Sequence, residues 1–97
     1  MIERQGEIEL DWDRANIRHI ARHRVRPEEA EQALRNHPFD LEYQVIGGEQ
    51  RWTSLGQTDG LRILLVVWTL SGDVVRVVTA RSASKQLRQA YVRYKGA

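Results

Sequence analysis

Two histidines, His19 and His23, are the residues of this sequence best suited to proton transfer. An imidazole titrates near pH 6.5 when unperturbed, so it gives and takes protons readily at neutral pH. Their four-residue spacing on a predicted helix is also compatible with zinc binding. However, the sequence has no cysteine, no glutamate separates the two histidines, and five arginines surround them. A divalent cation would be poorly placed there, and we expect neither a metal nor another cofactor.

Arginine supplies most of the positive charge, since 13 of the 15 cationic residues are arginine. Eleven of the 15 lie in two segments that contain no acidic residue, 14–26 and 74–97. The guanidinium fork binds phosphate through two parallel hydrogen bonds, so this distribution favours a polyanionic partner such as nucleic acid. The alternative is that the cations are solvated on helix faces and balance local acids.

These residue types are sufficient, in principle, to cleave an RNA phosphodiester without a metal. The reaction needs a base for the 2′-hydroxyl proton, an acid for the leaving 5′-oxygen, and cations for the charge that develops on phosphate. His23 could supply the proton transfer, with the cations drawn from Arg76, Arg81 and Lys85. A histidine among arginines is also common on an ordinary helix surface, and the residues alone leave both interpretations open.

Arg76 and Arg81 belong to one predicted strand that is otherwise apolar. Because they are five residues apart, strict alternation places them on opposite faces unless the strand ends before Arg81. Arg76 would share its face with Ala80, an unusual position for a charge. Either a ligand binds it there, or it forms a salt bridge to an acid such as Glu49 or Asp73.

Three tryptophans could stack on nucleic-acid bases. Trp68 lies in the most apolar strand and is expected in the core, and Trp52 precedes it in the neighbouring strand. Trp12 stands at a strand end, where stacking on a base and packing in the protein are both reasonable.

The composition indicates one soluble globular domain, residues 1–97. Hydrophobic residues make up 41% and charged residues 29% of the chain, which is ordinary for a folded domain. The longest apolar run has six residues, Ile63–Trp68, whereas a membrane helix needs about 20. The first residues lack the pattern of a secretory signal, so we expect a cytoplasmic protein with no membrane association.

Hydrophobic periodicity predicts one strand, two helices, four strands and a final helix. Asp13 and Pro27 are suited to begin the two helices, and Asp59-Gly60 is a strong hairpin signal. The predicted ranges are strand 7–12, helices 13–23 and 27–36, strands 41–46, 51–55, 61–69 and 74–81, and a helix from 82 or 84 to about 94. This order indicates an α+β fold with helices packed on an antiparallel sheet.

Two stretches and several isolated residues resemble the BrnT-type toxins. The first stretch comprises Leu10-Asp11-Trp12-Asp13, Ala15-Asn16, the run His19–Val25 and Pro27-Glu28-Glu29-Ala30; the second comprises Gly72–Ser84, Arg88 and Tyr91. Arg51, Gly56 and the strand Leu64–Val67 fall at similar positions between them. The resemblance extends over about residues 8–92.

The resemblance implies a RelE-like α+β fold with two N-terminal helices and one C-terminal helix. It also implies a ribonuclease toxin that arrests translation and is neutralised by a cognate DNA-binding antitoxin, so that operator DNA is contacted only through the antitoxin. At the matched positions it implies a site made of His23, Arg51, Arg76 and Arg81. We expect His23 to move protons and the arginines to bind the scissile phosphate. We also expect RNA to contact Trp12, Arg22, Lys85 and Arg88.

Three positions depart from the family's usual pattern. Arg24 replaces a glycine that usually follows the histidine, and Gln50 replaces a glutamate before the mid-chain arginine, with Glu49 one residue earlier. Leu87 stands near a position where the family usually has glutamate. These departures leave two alternatives to the enzyme: a catalytically weak nucleic-acid-binding or co-repressor module, and a basic domain that docks an acidic protein segment.

Overall fold

The computed structural model describes residues 8–96 of the chain. It contains five strands and three helices, in the order that the sequence predicts. Their bounds are β1 (Glu9–Asp11), α1 (Arg14–Ala21), α2 (Pro27–Arg35), β2 (Phe39–Ile46), β3 (Glu49–Gln57), β4 (Ile63–Ser71), β5 (Val74–Ser82) and α3 (Lys85–Gly96). Most predicted bounds are correct to within two residues, and residue 7 of the first predicted strand lies outside the described range.

The five strands form one sheet in the order β1-β5-β4-β3-β2. Strands β2 to β5 are the predicted antiparallel meander, and the short β1 adds to its edge in parallel with β5, Glu9 facing Val74. The α+β fold predicted from the sequence is confirmed.

Helices α1 and α2 cover one face of the sheet, which we call the α2 face. Ile20 of α1 and Ala33 of α2 are fully buried there against Val66 of β4 and Val77 of β5. Helix α1 contributes little to this core, because Ile17 is 38% exposed and Ile20 is the one residue of the helix that is buried.

Helix α3 packs on the opposite face, which we call the α3 face. Tyr91 is its one buried residue, in contact with a cluster that includes Leu55 and Ile63. Of the two predicted starting residues, 82 and 84, it is Ser84 that caps this helix, because its Oγ accepts the backbone N–H of Leu87 at 3.3 Å. The cluster occupies the end of the face nearest the β3–β4 turn, and the other end carries polar side chains instead.

The β3–β4 connection confirms the turn predicted at Asp59-Gly60. The N–H of Thr58 donates to the carbonyl of Arg62 at 2.8 Å, and the N–H of Leu61 donates to the carbonyl of Thr58 at 2.9 Å. Residues 61 and 62, which were predicted to begin β4, belong to this turn. Within residues 8–96, no helix is long and apolar enough to cross a membrane.

Candidate active site

A β-bulge in β5 places Arg76 and Arg81 on the same face of the sheet. Val77 pairs with Trp68 and Thr79 pairs with Val67, so Val78 is an extra residue without a partner in β4. The extra residue interrupts the regular alternation of side chains between the two faces, which would otherwise have placed Arg76 and Arg81 on opposite faces. The prediction that Arg76 shares its face with Ala80 is therefore wrong, since Ala80 is fully buried in the core of the α2 face.

The strand register arranges the side chains of the α3 face in rows, of which the first two lie at its exposed end and the third adjoins the cluster of Leu55. The first row contains Arg51, Thr69 and Arg76; the second contains Thr53, Val67 and Thr79; the third contains Leu55, Leu65 and Arg81. Successive rows are about 7 Å apart, since each is two residues further along the strands. The backbones of Arg76 and Arg81 are thus separated by roughly 13 Å, with the row of Thr79 between them.

A polar cleft of about 350 Å³ lies at the first row. Arg51 and Arg76, two of the four predicted site residues, both line it, together with Glu49. The Nε of Arg51 donates to Oε1 of Glu49 at 2.8 Å. The remaining lining residues are Asn16, Thr69, Leu70, Ser71 and Val78.

Arg76 is held by two carboxylates, one at the end of β1 and the other at the start of α1. Its Nη2 donates to Oδ2 of Asp13 at 2.9 Å, and its Nε lies 3.8 Å from Oδ2 of Asp11. The predicted salt bridge exists, but with these two acids and not with Glu49 or Asp73. Asp13 is also the N-cap of α1, its Oδ1 accepting the N–H of Asn16 at 2.8 Å, so Arg76 joins β5 to the beginning of that helix.

Helix α1 lies along the edge of β5 and brings His19 to the middle row, and His23 follows in the turn after the helix. The Nδ2 of Asn16 donates to the carbonyl of Val77 at 3.1 Å. One helical turn later, Nε2 of His19 and Oγ1 of Thr79 share a hydrogen bond of 3.1 Å. The His23 ring lies edge-on to the His19 ring, with centroids 5.6 Å apart. His19 therefore lies at the middle row. His23 lies toward the row of Arg81, because Arg62 contacts both the carbonyl of His23 and the Oγ of Ser82.

The side chain of Arg81 is exposed and, within residues 8–96, forms neither a hydrogen bond nor a salt bridge. The same is true of the side chains of Arg22 and Lys85. Arg88 differs, because its Nη1 donates to the carbonyl of Ala83 at 2.9 Å. Lys85 and Arg88 line a shallow groove on α3, whose floor includes Ile63.

Trp12 lies away from these residues. It is half-buried and packs against the core of the α2 face. Its indole Nε1 donates to Oε2 of Glu31 at 2.8 Å. These contacts give Trp12 a packing role, and the base stacking predicted for it stays a prediction.

Arg62 is a residue near the site that the sequence argument missed. Its Nη1 donates to the carbonyl of Arg24 at 2.7 Å and to Oε1 of Glu29 at 3.1 Å, and its Nη2 donates to Oγ of Ser82 at 2.9 Å. The partners are between 20 and 38 residues away in sequence. No local pattern could have indicated them, because only the fold brings the turn after α1 next to the end of β5.

Glu29 has an ionised carboxylate at the centre of these contacts. Its partial burial acts to raise the pKa, but the N–H of Arg26 and the charge and hydrogen bonds of Arg62 outweigh that effect. The net result is a pKa below the ordinary value for glutamate. Glu29 therefore remains charged at neutral pH and can hold the guanidinium of Arg62.

The departure at Arg24 is explained by the backbone of the turn. Arg24 has φ +61°, in the left-handed region that glycine adopts without steric cost. A residue with a Cβ pays about 1–2 kcal/mol for that conformation. The turn after α1 thus has the geometry that the family's usual glycine favours, and Arg24 adopts it with strain.

We expect Arg24→Gly to stabilise the protein by about 0.5–1 kcal/mol, the relief of strain being reduced by the greater freedom of glycine in the unfolded chain. For a domain of this size that corresponds to a rise in Tm of roughly 2–8 °C, measurable by calorimetry. Arg22→Gly is the control, since Arg22 has φ −62° and its replacement should lower Tm. An equal loss of stability in both variants would contradict the strain at Arg24.

The departure at Gln50 leaves a carboxylate in the cleft. Gln50 pairs with Val45 and its Nε2 donates to the Tyr43 hydroxyl at 2.8 Å, whereas Glu49 lines the cleft with Arg51. Neighbouring residues of a strand point to opposite faces, so a glutamate at position 50 would be directed away from the cleft in this register. Among the described residues, no group of three or more acidic or histidine side chains is placed to hold a metal ion.

A protein-family model agrees with the resemblance seen in the sequence. The model, described as the ribonuclease toxin BrnT of type II toxin–antitoxin systems, matches residues 12–86, which is well over half of the chain. The match includes all four predicted catalytic residues and the histidine-bearing helix. No curated protein matches the sequence. The chain belongs to the BrnT family of ribonuclease toxins of type II toxin–antitoxin systems.

Proposed function

We propose that this toxin cleaves RNA by metal-independent acid–base chemistry on the exposed end of the α3 face. The observation that carries the proposal is the position of His23. Its ring lies next to the ring of His19, and its carbonyl lies beside the Arg62 guanidinium that also binds Ser82, the neighbour of Arg81. Proton transfer and phosphate binding require these two kinds of side chain on one accessible surface.

In the proposed reaction, His23 moves the protons. A 2′-hydroxyl loses its proton as its oxygen attacks the adjacent phosphorus, the bond from phosphorus to the 5′-oxygen breaks, and the leaving oxygen gains a proton. The products are a 2′,3′-cyclic phosphate and a 5′-hydroxyl end. Either His23 serves both steps in turn, or a second group supplies one of them.

We assign different roles to the three arginines of the site, because their side chains have different partners. Arg81 has a free guanidinium among the described residues, so we assign to it the charge that develops on the scissile phosphate. Arg51 and Arg76 already share their charge with carboxylates in and beside the cleft. We propose that they bind the phosphate of a neighbouring nucleotide, mainly through hydrogen bonds.

Further cations extend this surface on both sides. Arg22 is exposed at the end of α1, and Lys85 and Arg88 lie at the start of α3, next along the chain from Arg81. We propose that these three bind the RNA backbone outside the cleavage point. Trp12 is not assigned to RNA binding in this proposal, because its indole N–H donates to Glu31.

The family places this toxin with an antitoxin protein. We propose that the antitoxin carries the DNA-binding part, so that this chain contacts operator DNA only through it. RNA cleavage in the cytoplasm would then arrest translation whenever the antitoxin is lost.

The test is inducible expression in bacteria together with cleavage of a synthetic RNA by the purified protein. We expect growth arrest, fragmented RNA with 2′,3′-cyclic phosphate ends, and a rate that EDTA does not change. His23→Ala should lower that rate by about 10²–10⁴-fold. His37→Asn, which removes the imidazole after α2, is the control and should retain activity; full activity of folded His23→Ala would overturn the assignment.

A binding module without catalysis is the second candidate. It is favoured over catalysis by the carboxylate partners of Arg51 and Arg76, which leave less positive charge in the cleft to stabilise a transition state. This alternative predicts intact RNA in the same assay. It also predicts salt-dependent binding, with a log–log slope set by the number of phosphates contacted.

A further inference from the structure

We infer that Arg62 is a positioning residue that sets the place of His23 relative to Arg81. The inference rests on the proposed function, because it matters for catalysis only if these two residues act on the same RNA. Its basis is that one guanidinium binds both the main chain at His23 and Arg24 and the side chain of Ser82, which follows Arg81.

At one end, Arg62 holds the turn that carries His23. Its Nη1 donates to the carbonyl of Arg24 at 2.7 Å, and its Nη2 lies 3.5 Å from the carbonyl of His23. Because these acceptors are backbone atoms, Arg62 fixes the main chain from which the imidazole projects. The left-handed conformation at Arg24 belongs to the same turn.

At the other end, Arg62 binds Ser82, the residue that follows Arg81. The Oγ of Ser82 accepts hydrogen bonds from both Nε and Nη2 of Arg62, at 3.2 and 2.9 Å. Ser82 is paired in the sheet with Leu64, so this contact connects the turn to the end of β5.

The guanidinium itself has little freedom to move. Glu29 accepts from Nη1 with both carboxylate oxygens, at 3.1 and 3.3 Å, and the Arg62 side chain is 30% exposed. The Arg62 N–H donates to Oγ1 of Thr58 at 3.0 Å, which fixes the backbone from which the side chain starts. Because Arg62 is fixed in this way, its hydrogen bonds hold the turn at a defined position relative to the sheet.

Arg35 provides a matched control elsewhere in the fold. Its Nη1 donates to Oε1 of Glu31 at 3.2 Å, its Nη2 donates to the carbonyl of Ile8 at 3.0 Å, and its side chain is 35% exposed. Arg35 thus joins a helix to a backbone carbonyl as Arg62 does, but it contacts neither the histidine-bearing turn nor β5. Loss of stability alone should be similar for the two arginines.

The experiment compares Arg62→Gln with Arg35→Gln at a temperature at which both variants are folded by circular dichroism. We expect Arg62→Gln to lower kcat on a synthetic RNA by about 10- to 100-fold with KM changed less than about threefold, because misplacing a reacting group by 1 Å can cost 100-fold. Arg35→Gln should stay within about twofold of the wild type. Adding Arg62→Gln to His23→Ala should cause no further loss.

The imidazole resonances of His23 supply a second measurement that does not depend on RNA cleavage. We expect Arg62→Gln to shift these resonances in the NMR spectrum and Arg35→Gln to leave them in place. Unshifted resonances, equal kcat losses in the two variants, or an additive loss in the double variant would overturn the positioning role. A shift in a protein that cleaves no RNA would support the positioning role and overturn the proposed function instead.

Discussion

Arg81→Ala should lower the rate of RNA cleavage by about 10²–10³-fold and leave the fold intact. That range is typical for removal of one donor that stabilises charge in a transition state. The fold should be unaffected because Arg81 is exposed and has no partner within the described part of the chain. We therefore expect loss of growth arrest on induced expression, with a change in unfolding free energy below about 0.5 kcal/mol.

Two variants make the Arg81 experiment specific. Lys95→Ala removes one positive charge from the exposed surface of α3, outside the rows of the site and the groove of Lys85 and Arg88, and should remain toxic. Arg81→Lys keeps the charge but loses the planar fork, so an intermediate rate is expected if phosphate is bound through two hydrogen bonds. Undiminished toxicity of folded Arg81→Ala would remove Arg81 from the site.

The order of secondary structure was predictable because its signals are local. Asp13 accepts from Asn16 three residues later, and Ser84 accepts from Leu87 three residues later. Capping, hairpin turns and alternation each depend on residues within one or two turns of chain. These signals gave the α+β class and most element bounds without any knowledge of long-range packing.

The arrangement of the site was less accessible to sequence reasoning. Arg76 and Arg81 share a face because of the single extra residue Val78. No residue type in that apolar strand indicates a bulge. The partner of Arg76 is Asp13, 63 residues earlier, although Asp73 is much nearer in sequence. Residue types thus indicated the chemistry of the site, whereas the pairings depended on strand register.

Helix α1 illustrates the same limit. Arg14, Arg18 and Arg22, which are four residues apart, are all exposed. The position of the helix along the edge of β5 could not be predicted, because it depends on β1 ending at Asp11 and leaving the next β5 carbonyls unpaired. Asn16 binds one of those carbonyls, that of Val77, and this contact brings the histidines to the site.

Gly56→Ala should destabilise the protein by about 3 kcal/mol or more. Gly56 lies on β3 and faces α2, and a Cβ added there would overlap the carbonyl oxygen of Ala33 and lie 2.6 Å from its carbonyl carbon. These atoms are backbone, so a side-chain rotation cannot relieve the clash. The helix would have to move away from the sheet, which would loosen the packing of Leu34 and Val66 in the main core.

Gly60→Ala separates this clash from the general effect of replacing a glycine. Gly60 is exposed in the β3–β4 turn, its φ is outside the left-handed region, and the nearest atom to an added Cβ is Oγ1 of Thr58 at 3.8 Å. Alanine there should be neutral or stabilising by up to about 1 kcal/mol, because it restricts the unfolded chain. The free energy of unfolding of both variants can be measured with urea. If Gly56→Ala were as stable as Gly60→Ala, α2 could be displaced from the sheet at little cost, and the prediction would be wrong. Since α2 also carries Glu29, which holds Arg62, an unstable Gly56→Ala protein would be expected to lose the fixed turn at His23 as well.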